Sequence, residues 1–520
     1  MSDSSRLPSW VLSVHLSKPS IQDNTADVDR LLSKIRQRID ADQVTCDYRL
    51  MKRLSAILRA SDYRVRCVLF KNASGWFLVD IQPATDTKPV LGLAVDLGTT
   101  RVAIRLIDLI SGDNLAESTF DNPQIRIGPD VLTRIHHADQ PDGIGVLQEL
   151  IVSEINLQTG MLCRNLNLRP QDIYLMTLAG NTAMTHLFLG LESRWLIREP
   201  YIPVSNRPDV LPASTVGIRI HPSGQVFVFP NIGSYFGGDL ISGILFSGLN
   251  HREDTAILVD VGTNAEVVLG NRSWMIACAG AAGPALEGGV TQMGMTAGPG
   301  VIDRVIIHSS DLRMEYHTID NAPPKGICGS GLIDLAAQLF LSGMIDIRGK
   351  LVQDKCKDRY YIQNELPAFI LVPATQSATG NNLTITQADL DSLFRSKAAM
   401  YTILETLTGT VGMAPQDIKT FYIAGTFGYF INPVSAITIG MIPDQPLSSY
   451  HTLGNSSLEG ASMLLTDPSR MDEISLIQKN ITYMELNVNM DFMNRFSAAK
   501  FVPHTHTGLF PSVSVWKVEG

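Results

Sequence analysis

A chain of 520 residues exceeds the roughly 250 to 300 residues at which a single hydrophobic core stops growing, so at least two cores are expected. With 45% hydrophobic and 18% charged residues it has the make-up of a folded globular protein, which excludes long disorder. The net charge of -9, with basic residues unclustered, excludes nucleic acid and anionic membrane as main partners, because both need concentrated positive charge.

No apolar run approaches the roughly 18 residues needed to cross a bilayer. The opening MSDSSRLPSW lacks the basic start and apolar core of a signal peptide, so a cytoplasmic location is expected. The six cysteines, Cys46, Cys67, Cys163, Cys278, Cys328 and Cys356, are widely spaced and form no CxxC pair. That spacing fits neither a disulfide framework nor a zinc site, and no iron-sulfur cluster is expected in this chain.

Residues 10–16 alternate as a strand, 26–38 and 47–60 carry apolar residues at helical spacing, and 65–70 and 75–82 read as two further strands. The polar stretch ATDTKP at 84–89 then reads as a linker, which makes 1–88 a small α+β domain. Beyond it, strand-like runs at 91–96, 102–108, 173–178, 256–260 and 419–424 alternate with helical segments, an α/β layout. VDLGTT at 95–100 returns as VDVGTN at 259–264, each time after one apolar strand and before another. The repeat predicts two related lobes, 89–254 and 255–520, the second including the C-terminal segment.

In each copy a buried strand ends in Asp and turns through Gly-Thr, the chemistry of a hairpin that wraps a phosphate. Gly98 and Gly262 can take positive φ and let the backbone come close. The amides and hydroxyls of Thr99, Thr100, Thr263 and Asn264 can donate to phosphate oxygens. Asp96 and Asp260, at the strand ends, are the candidate catalytic residues: they can hold Mg2+ through its waters or orient the attacking water. One such turn is a common strand ending, but two copies 164 residues apart predict an ATP-binding protein of the actin, sugar-kinase and chaperone type. The rival phosphate cradle, GxxxxGK[ST], is absent from the sequence.

Between the lobes' phosphate motifs, AGNTAMTHLFLG at 179–190 runs from a strand into a helix capped by Asn181 and Thr182, with His186 expected as a core residue. Two glycine-rich stretches, 278–290 and 326–334, read equally as packing turns or as nucleotide contacts. Gly329, Ser330 and Glu287 are the residues there that would reach the nucleotide, and Cys278 and Cys328 are expected as small packing residues. A third element, FYIAGTFGYFINP at 421–433, offers Gly425, Thr426 and Gly428 to the adenosine. His504 and His506 lack acidic or thiol neighbours and are expected to be solvated.

Seven stretches taken in order carry a more specific resemblance: GLAVDLGTT at 92–100, NPQIRIGPDV at 122–131, AGNTAMTH at 179–186, PNIGSYFGGD at 230–239, VDVGTNAEVVLGN at 259–271, GICGSGLID at 326–334 and AGTFGYFINP at 424–433. Together they resemble the reductive activators of corrinoid proteins, whose ATPase domain belongs to the acetate and sugar kinase, heat-shock and actin superfamily. The first 90 residues are similar to the small domain that precedes the ATPase in that family. Members usually also carry an iron-sulfur domain, which these cysteines could not hold, so the resemblance implies a separate electron-donor protein.

What the resemblance implies is ATP-dependent assistance of Co(II) to Co(I) reduction in a corrinoid (cobalamin) protein partner, with ATP and Mg2+ as ligands and a homodimer as the family's assembly. Two other functions are compatible with the phosphate motifs alone, a small-molecule kinase of the sugar or acetate type and a chaperone-like ATPase.

Overall fold

The computed structural model describes residues 9–262, 265–280, 291, 293–308, 311–425, 431–484 and 490–513. The chain divides into two compact units, Met1–Phe246 with Ser456–Asn480, and Ser247–Asn455 with Ile481–Gly520.

The first unit opens with strands β1 (Val11–His15), β2 (Val44–Cys46), β3 (Arg64–Asn72) and β4 (Gly75–Pro83), and helices α1 (Asp27–Ile39) and α2 (Tyr48–Ala60). The strands form one sheet in the order β1-β3-β4-β2. Leu31, Ile35, Leu50, Leu54 and Leu58 recur at helical spacing on α1 and α2 and are fully buried with Val65, Cys67 and Leu69 of β3. The sequence expectation lacked only β2, whose three residues are too short to show a period.

Strands β5 (Leu91–Leu97), β6 (Arg101–Asp108), β7 (Asn114–Asp121), β8 (Ile173–Gly180), β9 (Leu211–Pro212) and β10 (Gln225–Val228) form a second sheet, ordered β7-β6-β5-β8-β10-β9. Central strands β5 and β8 are buried almost throughout because both faces are covered, whereas the edge strand β7 alternates and is half exposed. Helices α3 (Val131–Ala138), α4 (Gly143–Asn165), α5 (Thr182–Leu189) and α6 (Gly238–Ser247) belong to the same stretch of chain. Helix Ser456–Thr466, reached more than two hundred residues later, packs against β5, β6 and β8. Arg105 of β6 holds it with both terminal guanidinium nitrogens, Nη2 and Nη1, on Glu459, at 2.7 and 2.8 Å.

The small domain is tied to this sheet by buried polar contacts. Trp10 Nε1 donates to Leu464 O at 2.7 Å, Gln82 Nε2 to Tyr174 Oη at 2.7 Å, and buried Asp80 pairs with Arg53 and His221.

In the second unit, strands β11 (Ala256–Val261), β12 (Ala265–Gly270), β13 (Met275–Gly280), β20 (Phe421–Ala424), β21 (Tyr450–Gly454) and β22 (Ile481–Tyr483) form a sheet ordered β21-β20-β11-β12-β13-β22. Two three-stranded sheets lie in between, β14 (Val301–Ile307), β15 (Met314–Thr318) and β16 (Gly326–Ile327), then β17 (Tyr360–Gln363), β18 (Leu366–Val372) and β19 (Leu383–Thr386). Helix α7 (Gly329–Leu341) packs on β14, and Gln387–Thr410 crosses behind β12 and β13.

The repeat in the sequence is a repeat in topology. In each unit three antiparallel strands, β5-β6-β7 or β11-β12-β13, are extended by two strands parallel to the first, β8 and β10 or β20 and β21.

Candidate phosphate-binding hairpins

Asp96 is the sixth residue of β5, pairing with Ala103 on one side and Ala179 on the other. Its main chain is thus fixed by two neighbours while its half-buried carboxylate stands at the strand end. Oδ1 accepts a hydrogen bond from Ser457 Oγ at 2.8 Å, and Ser457 is itself held by Ser242 Oγ, which donates to its carbonyl at 2.7 Å. A hydroxyl donor of this kind fixes a carboxylate rotamer without neutralising the charge.

The turn from β5 to β6 is clamped from below. Asn122 is 1% exposed; its Nδ2 donates to Gly98 O at 2.9 Å and its backbone N–H to Thr100 O at 2.8 Å. Two of the hairpin's carbonyls, those of Gly98 and Thr100, are therefore held by Asn122. Gly98 does not adopt the left-handed conformation expected from the sequence. Its requirement is steric instead: a Cβ would run into the carbonyl oxygen of Arg101 across the hairpin. Thr99 is half-buried, and its Oγ1 accepts from Asn181 Nδ2 at 3.0 Å, while the exposed Thr100 stands at the tip.

Asn181 does two jobs. Its Oδ1 caps α5 by accepting from Met184 N at 2.9 Å, as the sequence predicted, while its Nδ2 reaches the hairpin hydroxyl. Thr182 Oγ1 donates to Gly233 O at 3.0 Å rather than capping the helix. His186 is the expected core residue: Nδ1 lies 2.7 Å from Thr182 O, Nε2 accepts from Val204 N at 3.1 Å, and burial lowers its pKa. The glycine loop 230–239 closes over Asn181, with Gly237 against its Cα and Asp239 Oδ1 beside Gly237. Asp239, in the first turn of α6, is a carboxylate near the first hairpin that sequence reasoning missed. Its signal was the Gly-Gly-Asp triplet opening a helix.

Asp260 occupies the matching place in the second unit, pairing with Glu266 and Ala424. The equivalence extends to the next strand. Gly180 after Ala179 and Gly425 after Ala424 each press on the carbonyl following the aspartate, such that a Cβ would lie 2.8 Å from Leu97 O in one case and 2.7 Å from Val261 O in the other. Gly425 also has φ +85° and faces Asp260 Oδ1, where a Cβ would be 2.8 Å away. Ala179-Gly180 and Ala424-Gly425, from stretches assigned different tasks from the sequence, thus occupy equivalent positions. Gly262 follows β11, whereas Thr263, Asn264, Glu287, Thr426 and Gly428 lie outside the described residues.

Gly329 and Ser330 open α7, both buried, with Ser330 Oγ 3.2 Å from Cys328 Sγ. Around them the stretch does packing work: Gly326 and Gly331 abut Met293 O and Ile302 O. Cys278 and Cys328 are buried as expected, and burial pushes the Cys278 thiol up to about 12. One expectation fails. His504 is 7% exposed, near Tyr401 and Phe510, because the chain around it folds back on Lys397, whose Nζ donates to Pro503 O at 2.7 Å. His506 is exposed as expected.

The carboxylate and hydroxyl oxygens at the hairpins are hard donors of the type Mg2+ takes, so the residues present fit a magnesium-bound polyphosphate. Among the described residues there is no cluster of three or more His, Cys, Asp or Glu that could hold a metal ion unaided. No helix among them is long and apolar enough to cross a membrane.

Two copies of this sheet, each ending its first strand in Asp-X-Gly, define an actin-like domain of the ASKHA ATPase type preceded by a small α+β domain. Residues 254–514 match the family described as the C-terminal domain of RACo, the ASKHA domain, 91–252 match the RACo middle region and 8–88 the RACo linker region. The chain therefore belongs to the RACo family, the reductive activators of corrinoid proteins. It is 30% identical over 481 residues to the corrinoid activation enzyme RamQ of Eubacterium limosum, covering 91% of this chain and 79% of that one. It is 25% identical over 421 residues to a [Co(II) methylated amine-specific corrinoid protein] reductase of Methanosarcina barkeri, covering 75% and 73%. A solved structure titled reductive activator for corrinoid, iron-sulfur protein matches 99% of this chain and 82% of its own at 37% identity, with a TM-score of 0.88.

Proposed function

We propose that this protein binds and hydrolyses ATP to drive the return of a corrinoid protein from Co(II) to Co(I), the electron coming from a separate donor protein. The observation that carries the reading is membership of the activator family over nearly the whole chain, together with two Asp-X-Gly strand ends whose aspartates pair equivalently with Ala179 and Ala424. In this reading Gly98, Thr99, Thr100, Gly262, Thr263 and Asn264 take the phosphates, and Asp96 and Asp260 hold the waters of Mg2+. Gly329, Ser330, Gly425, Thr426 and Gly428 serve the rest of the nucleotide.

Reduction of Co(II) is uphill for biological donors, and for a one-electron couple each shortfall of about 59 mV leaves the reduced state tenfold rarer. A nucleotide bound differently in two conformations can bias how the protein grips its partner and so draw the transfer forward. The protein acts in the cytoplasm and pairs with a second copy of itself.

The test follows the visible spectrum of a Co(II) corrinoid protein with this chain, a low-potential reductant and ATP. Faster appearance of Co(I) with ATP than without it is expected, and equal rates would sink the reading. Asp96→Asn and Asp260→Asn, close in shape to the native residues, should each abolish ATP-dependent phosphate release while leaving thermal unfolding within a few degrees; unchanged hydrolysis in both would remove the hairpins from the site.

A further inference from the structure

Arg134, on α3, is 0% exposed. Its Nε donates to Gly128 O at 2.9 Å, and its Nη1 lies 3.3 Å from Gln124 Oε1 and 3.2 Å from Met184 Sδ. Nη2 has no hydrogen-bond partner among the described residues, and none of their carboxylates comes within ion-pairing distance. The carboxylate that opposes the effect of burial is Asp130, exposed one turn earlier, which caps α3 through Thr133 N at 2.8 Å. Burial pulls the guanidinium down to about 10, still protonated at neutral pH. A buried charge without a counter-charge is costly, and a methionine or glutamine would fill the same space at less expense. Packing alone therefore does not account for a cation here.

Its location does. Met184 Sδ, which touches Arg134, also lies 3.9 Å from Asn122 Nδ2, the group that donates to Gly98 O at 2.9 Å. This run of contacts puts the guanidinium within about 10 Å of the first hairpin, on its protein side, a range at which a charge in a low-dielectric interior still acts on a ligand.

We propose that Arg134 is the fixed positive charge behind the 97–101 hairpin, a positioning residue that makes this site favour polyphosphates in proportion to their negative charge. The inference rests on the ATP reading. It assigns a task to the NPQIRIGPDV segment that the hairpins themselves leave unexplained: Asn122 braces the turn, Gln124 ties Asn122 to the arginine, and the arginine supplies the field.

Calorimetric titration of the full chain with magnesium-ATP, magnesium-ADP and adenosine tests it. Arg134→Gln should weaken ATP more than ADP, by about threefold to tenfold in the ratio of the two affinities, with adenosine within twofold of wild type. Arg134→Lys, which keeps the charge and loses the fork, should stay near the wild-type ratio. Gln124→Glu, which places a carboxylate against the intact arginine, should lower the ratio as Arg134→Gln does, and it decides the matter if Arg134→Gln does not fold. A wild-type ATP to ADP ratio in Arg134→Gln or in Gln124→Glu, or a ratio lowered as far in Arg134→Lys as in Arg134→Gln, overturns the inference. Wild-type protein that binds none of the three ligands would instead overturn the ATP reading, and this proposal with it.

Discussion

Ser457 Oγ donates to Asp96 Oδ1 at 2.8 Å, joining residues 361 positions apart in sequence. The carboxylate that ends β5 is held by a helix the chain makes only after completing most of the second unit. The helix is itself seated by Arg105 on Glu459, by Thr177 Oγ1 on Ala461 O at 2.8 Å, and by Gly460 packed against Ser242. The first hairpin is complete only when residues 456–466 have returned to the first unit.

Ser457→Ala should therefore lower kcat for ATP hydrolysis on the order of tenfold, the worth of one hydrogen bond to a charged group. KM should stay within about threefold, because the amides proposed to take the phosphates are untouched, and Ser457→Thr should recover most of the rate. Steady-state phosphate release measures both; an unchanged kcat would detach Ser457 from the function of Asp96.

Asn122→Ala leaves the half-buried Gly98 carbonyl without its side-chain donor and the buried Gln124 N–H without its acceptor. An unsatisfied buried donor costs about 1 to 3 kcal/mol. Thermal unfolding should shift down by several degrees, and ATP affinity should fall by more than that of Ser457→Ala. Calorimetry with and without nucleotide checks both quantities. Loss of stability with full ATP affinity would mean that the clamp serves the fold alone.

Gly425→Ala combines a left-handed φ of +85° with a Cβ 2.7 Å from Val261 O and 2.8 Å from Asp260 Oδ1. The strain is worth about 1 to 3 kcal/mol, and relief requires Asp260 or the β20 end to move. Hydrolysis should be lost with the fold retained, as judged by phosphate release and circular dichroism. Activity near the wild-type rate would show that the position of the Asp260 carboxylate does not matter.

Much of this architecture was legible in local pattern. The apolar runs of β5, β8 and β11, the duplicated Asp-X-Gly turn and the Asn181 cap all depend on residues within a few positions of one another. What the sequence could not show is long-range. Nothing around Ser457 announces that it meets Asp96, and Asn122 appears only as part of a familiar motif until its two bonds to the hairpin are seen. The equivalence of Gly180 and Gly425 has no local signal, because AGNT reads as the entry to a capped helix and AGTF as a glycine turn. The burial of His504 has no local signal for the related reason that a polar run says nothing about the buried Lys397 on which it folds.

His504 gives the second unit a pH dependence whose sign can be worked out. Burial, then repulsion from Lys397 and His506, lowers its pKa from 6.5 to about 4. Its Nδ1 accepts from His506 N at 3.0 Å, and its Nε2 has no partner among the described residues, so the folded state holds the neutral ring. Between pH 6.5 and 4 the unfolded chain binds the proton that the folded chain refuses. The contribution is complete above 6.5 and is lost progressively as pH falls toward 4, with about 2 kcal/mol gone between pH 7 and pH 5. Carboxylates shared by all variants also titrate in this range, so the quantity to measure is a difference. Urea unfolding of wild type and His504→Asn, whose shorter side chain removes the titrating ring, should diverge on acidification. The wild type should lose about 2 kcal/mol more than the variant from pH 7 to pH 5. Parallel loss in the two proteins would mean that His504 accepts its proton without opening the C-terminal segment.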